Sequence, residues 1–253
     1  MITEFKGVYS GVWRYALACP LLFAVPVVVE FIQHVIEMRI GMYDSIAAAQ
    51  AVEANGARLG WGVVKTLSLG LAGYWVARFL LLRDGAAEAR RLDPVAVRLF
   101  AWVLLFGLAL TVLTLWGGDA MHILGLGAHT MTAGIAFALF GFILSILLAP
   151  WKVGAALGNA EMGFVRAIGL VGWGVWWGII FSLLAILPPL VLHYAFAFLA
   201  IGAAPGTAWA ILAVDSLLVG YLAAILVAVD VAIARRAVER AGLALVPMGA
   251  AVA

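Results

Sequence analysis

Glu30, Gln33, His34 and Glu37 form the densest group of chemistry-bearing side chains in this sequence. Steps of four and three residues put Glu30, His34 and Glu37 on one face of a helix. Imidazole beside carboxylate is a ligand set for zinc or iron, and equally a place to hold a proton. The other histidines are His122, preceded by Asp119, then His129 and His193. Glu30, His34, Glu37, His122, His129 and His193 are therefore the candidate ligands of a divalent metal ion. The chain has no His-Glu-x-x-His motif and no paired Glu-x-x-His on two helices, so no ligand motif of high specificity selects among them. Cys19 is the only cysteine, which excludes an internal disulfide and a cysteine metal cluster.

Asp215 is a second kind of candidate. It lies deep in an apolar segment, roughly 13 Å from the segment's outer end at helical rise. An acid at such depth costs about 2.5–3.5 kcal/mol on insertion scales and calls for a partner or a task. A transport role is one such task; hydrogen bonds to Ser182, Ser216 or Tyr221 are the structural alternative. Asp230, near the opposite end, is expected to pair with Arg235 or Arg78.

The elements that position these residues follow from composition. The chain is 66% hydrophobic and 11% charged, with a mean hydropathy of +1.15. A soluble domain carries about 25% charged residues, so this chain lacks a surface fit for water. Long unbroken apolar runs predict an all-α, polytopic membrane protein rather than a barrel. Six transmembrane helices fit, at about 13–36, 62–82, 99–116, 130–148, 171–199 and 208–234, forming a single transmembrane domain over 1–253. Pro20 and Pro26 predict a kink in span one, and Pro188 and Pro189 a kink in span five. Interfacial helices are expected at about 38–54 and 151–168. Nothing in the charge pattern suggests nucleic acid; the partner the composition demands is the lipid bilayer.

Charge then orients the spans. Twelve of the fifteen Lys and Arg residues fall on the face shared by both termini, and only Arg39, Arg58 and Lys65 on the other. The positive-inside rule makes both termini cytoplasmic, in a bacterial inner membrane. All four histidines, Glu30 and Glu37 then map to the exported half.

The second half of the chain has a distinctive layout. The segment Gly154–Ala167 leads through Gly172-Trp173-Gly174-Val175-Trp176 into a long span, and the final span ends in Arg235-Arg236. Over about 100 residues this layout resembles six-helix bacterial membrane proteins related to the membrane domain of glycerophosphodiester phosphodiesterases. The resemblance implies a stand-alone membrane module without an enzyme centre of its own, and no catalytic residue is carried over. The leading expectation is a non-catalytic accessory, assembly or lipid-contacting subunit, with a membrane-protein partner or further copies of itself. A small transporter or permease subunit using Asp215 is the second reading. A metal-dependent or redox membrane enzyme with an exported His/Glu site is the third.

Overall fold

The computed structural model describes residues 1–83, 85–123 and 130–247, with side chains omitted at 114–123 and 130–133. Among the described residues there is no strand. The helices are α1 (Ile2–Ala18), α2 (Pro20–Arg39), α3 (Ile46–Ala51), α4 (Gly56–Leu81), α5 (Gly85–Arg90), α6 (Pro94–Ile123), α7 (Thr130–Leu147), α8 (Ala149–Ala156), α9 (Phe164–Val171), α10 (Val175–Ala200) and α11 (Pro205–Arg240). A 3-10 turn at Gly172–Gly174 carries α9 into α10.

Four helical stretches are long and apolar enough to cross a membrane: α2, the described part of α6, α9 continued into α10, and α11. A fifth is α7 with α8, bent by 54° at their junction, if that pair is one span. α4, at 26 residues, has the length but falls short in hydropathy because Lys65 and Arg78 lie within it. Helices keep every backbone amide paired inside the segment, which is what hydrocarbon surroundings require.

Chain-local signals set the helix ends. The first expected span divides at Cys19, whose φ of −129° and ψ of 55° leave the helical region just before Pro20 opens α2. Proline suits that first position because its missing N–H has no helical acceptor to lose. Pro26 lies inside α2, and Pro188 and Pro189 lie inside α10. α6 extends helically to Ile123, beyond the expected end of span three. Only a short helix, α3, forms within 38–54, capped by Ser45 Oγ accepting from Ala48 N.

The expected helix at 151–168 is two helices, α8 and α9, broken around Gly158 at φ +78°. α8 does not lie on the surface. Ala149, Pro150, Val153, Gly154, Ala155 and Ala156 are buried, because these small side chains let α8 pack against α11, α6 and α4.

α11 is the central element. It packs against α1, α2, α4, α8 and α10, and 67% of its apolar stretch is buried, against 11% for α6. α6 and α10 instead present Trp102, Leu105, Leu187 and Val191 outward, each at least half exposed. An apolar exterior of this kind suits lipid and not water.

Close helix approach decides the α2–α11 contact. A Cβ at Gly220 would lie 2.4 Å from Val27 Cγ2 and 3.3 Å from Phe23 Cζ. Gly220→Val is expected to force the pair apart and cost about 1–3 kcal/mol. Thermal unfolding in detergent micelles reads this as a lowered midpoint. Gly141→Val is the control, since a Cβ there meets nothing within 4 Å.

Candidate metal centre

α2 supplies the first wall of the site. The helix turns Val28, Phe31 and Ile32 outward, while Glu30, Gln33, His34 and Glu37 are buried, none more than 8% exposed. The three- and four-residue spacing has therefore gathered its polar groups on the inward face. Just past the end of α2, Gly41 with φ of +77° closes a turn in which Met42 N bonds Glu37 O and Gly41 N bonds Met38 O. A left-handed residue is needed there, and glycine adopts it without steric cost. That turn folds Tyr43 back under His34, and Gly202 N fixes the turn from the α10–α11 connection by donating to Tyr43 O at 2.8 Å.

Glu37 is held on all sides. Its Oε2 accepts from Tyr43 OH at 2.8 Å and lies 3.2 Å from His34 Nδ1. Its Oε1 accepts from Gln33 Nε2 at 3.0 Å and Arg58 Nε at 3.2 Å. Arg58 stands in the first turn of α4, which Asn55 Oδ1 caps by accepting from Ala57 N and Arg58 N. Burial, and then the Glu37 carboxylate, push the pKa of the Tyr43 hydroxyl well up, so it stays a donor. Gln33 Oε1 is buried without a hydrogen-bond partner.

Asp215 joins this group from α11 and is fully buried. It does not bond Ser182, Ser216 or Tyr221. Ser216 Oγ donates to Leu212 O instead, and Tyr221 OH to Tyr9 O. The Asp215 carboxylate faces two imidazoles: His34 Nε2 at 3.1 Å, and His193 Nδ1 at 2.8 and 2.9 Å. Glu30 Oε1 is 3.6 Å from His34 Nε2, and Lys65 Nζ of α4 lies 2.8 and 2.6 Å from the two Glu30 oxygens. The aliphatic reason for this meeting is plain: α2, α4, α10 and α11 bury their apolar faces together, so their few polar groups find only one another.

Glu30, His34, Glu37, His193 and Asp215, five of the residues singled out from sequence, are thus one cluster. His129 lies outside the described residues, as does the side chain of His122. Tyr43 carries no sequence signal for the site, and Lys65 and Arg58 stand out in the sequence only as charges on one side. A signal for both was available: with Arg39, they are the only basic residues assigned to the face that also carries Glu30 and Glu37. Asp230 pairs with neither Arg235 nor Arg78; its partner is Lys152 of α8, at 2.7 Å, which α8 brings inward.

Comparison of the chain with protein-family models, curated proteins and solved structures found no match.

The donor set decides what the cluster can do chemically. Glu30, His193 and Asp215 each offer one ligand atom within 4.8 Å of the others. Ligand atoms around tetrahedral zinc stand roughly 3.3 Å apart, so the three need a small contraction to close on an ion. Three protein ligands leave a fourth position open, and His193, 16% exposed at its side chain, is the route to it from outside. Three carboxylates meet two fixed cations, Lys65 and Arg58, and two imidazoles, so the third negative charge is balanced either by a proton on an imidazole or by a bound cation.

Proposed function

We propose that this chain is a six-span protein of a bacterial inner membrane, with both termini cytoplasmic, that holds a divalent transition-metal ion on its exported side. The observation that carries the metal reading is the convergence of Glu30, His193 and Asp215 from three helices, each offering one ligand atom within 4.8 Å of the others. His34 supports the site by bonding Asp215, and Glu37 and Tyr43 fix His34 in turn, as outer partners orient metal ligands elsewhere. A bound ion would share the Glu30 carboxylate with Lys65, which holds both of its oxygens. Six spans are favoured because the charges that lower the hydropathy of α4 are both paired, Lys65 with Glu30 and Arg78 with Glu88.

This geometry favours a binding role over that of a purely accessory or assembly subunit, in line with neither the layout resemblance nor the transport reading by itself. A module that only held partners together has no use for seven ionisable side chains gathered inside a bundle, each costly to desolvate.

Metal analysis of protein purified without chelator tests the reading. About one zinc or iron per chain is expected, together with a cobalt-substituted form whose visible absorption reports a low coordination number. Asp215→Asn and His193→Ala are expected to lose both signals. Wild-type protein that stays metal-free in micromolar zinc, or variants that bind as well as wild type, would overturn the proposal and leave a proton as the balancing charge.

A further inference from the structure

Between α4, α6, α7, α8, α10 and α11 lies a partly open cavity of about 340 Å³. Its walls are largely apolar, with Phe100, Leu104, Phe142, Ile146 and Ile186 among them. Asp215 and Asp230 are fifteen residues apart on α11, about 22 Å at helical rise, so the two sites occupy opposite halves of one helix.

The polar part of the lining is small and specific. Lys152 Nζ pairs with Asp230 at 2.7 Å and donates to Ser145 Oγ at 2.8 Å. Ser182 also lines the cavity; it is 1% exposed, and among the described residues its hydroxyl makes no hydrogen bond. A ligand group that bonds this hydroxyl gains the roughly 0.5–1.5 kcal/mol of a neutral hydrogen bond. Apolar walls with a few convergent polar groups are what a small-molecule site looks like, and 340 Å³ is at the lower end of the usual range.

We infer that this cavity binds a single-chain amphiphile with an uncharged, hydroxyl-bearing head, of the monoacylglycerol kind, its tail along the apolar walls and its head at Ser182, Lys152 and Asp230. A cavity of this size takes one acyl segment and not two side by side. Charge selects the head: the lysine and aspartate already neutralise each other, so an anionic head meets Asp230 and a cationic head meets Lys152. Hydroxyls can donate to the aspartate and accept from the lysine and the serine. Entry is from the membrane. Leu67 and Leu226 line the cavity and are also 41% and 39% exposed, so its wall reaches the apolar exterior. The site rests on the membrane reading but not on the metal centre.

The test is photolabelling of the full chain in phosphatidylcholine nanodiscs with a monoacylglycerol carrying a diazirine and an alkyne. Saturable labelling is expected on peptides of α4, α6 and α10, competed by monoolein and much more weakly by oleate or lysophosphatidylcholine. Gly107→Leu and Gly141→Leu fill the cavity, and a Cβ at either position meets nothing within 4 Å, so the fold is kept and labelling is lost. Ser182→Ala is expected to weaken monoolein competition roughly fivefold, the size of one neutral hydrogen bond. Unsaturable labelling, labelling indifferent to the two leucines, or oleate competing as well as monoolein would each sink the inference. Metal content serves as an independent readout: the leucine variants keep whatever metal the wild type holds.

Discussion

Asp215→Ala is expected to cost about 3–5 kcal/mol of stability, the largest effect of any single change at the Glu30–His34–Asp215 cluster, because it strands two imidazoles inside the bundle. His34 and His193 both point a ring nitrogen at the Asp215 carboxylate, at 3.1 Å and 2.8 Å. Asp215 is the least exposed member of the group, so no water replaces it. Removing one partner of a buried charged pair leaves the other uncompensated, whereas removing the pair together is far less costly. Differential scanning fluorimetry in detergent is the measurement. A marked fall in midpoint is expected for Asp215→Ala and a smaller one for His193→Ala, whose side chain is already 16% exposed. Asp215→Leu combined with His34→Leu and His193→Leu is expected to recover part of the loss. An Asp215→Ala midpoint equal to wild type would show that the acid is not a keystone of the cluster.

Arg78→Met is expected to cost about 3 kcal/mol at the opposite end of the bundle. The Arg78 side chain is 4% exposed and ties three elements together. Its Nε donates to Glu88 O of α5 at 2.8 Å, its Nη1 to Ala156 O of α8 at 3.3 Å, and its Nη2 to the Glu88 carboxylate. Its guanidinium also sits 5.3 Å from the centre of the Tyr74 ring. Methionine keeps the volume and removes the donors, so two carbonyl oxygens and a carboxylate lose their partner together. Arg78→Lys is expected to restore little, because one ammonium cannot reproduce a planar fork that bonds in three directions. Glu88→Gln is expected to cost much less, since Glu88 is 24% exposed and water can replace the lost charge. Equal midpoints for Arg78→Met and Glu88→Gln would show that the carbonyl contacts contribute nothing.

Much of this architecture was legible in the chain. Apolar runs longer than a soluble helix needs mark α2, α6, α10 and α11 without any tertiary information, because helical hydrogen bonds are local and hydropathy is a property of each segment. The inward face of α2 was legible for the same reason: spacing along one helix fixes which side chains stand together, and Glu30, His34 and Glu37 do. Where α8 lies was not legible. Its residues read as an interfacial segment next to Trp151 and Lys152, but the run of alanine and glycine that gives it little hydrophobic signal is also what lets it pack inside.

Sequence by itself thus determined the helical class, the apolar stretches and the shared face of α2, since each depends on residues a few positions apart. The meeting of His34 with Asp215, 181 residues later, was decided only by the tertiary structure. So were the Lys65–Glu30, Arg58–Glu37 and Lys152–Asp230 pairs. A buried charge is indifferent to how far along the chain its partner lies and depends on which helix faces are pressed together. That choice is made by the packing of α2, α4, α8, α10 and α11, and no local pattern records it.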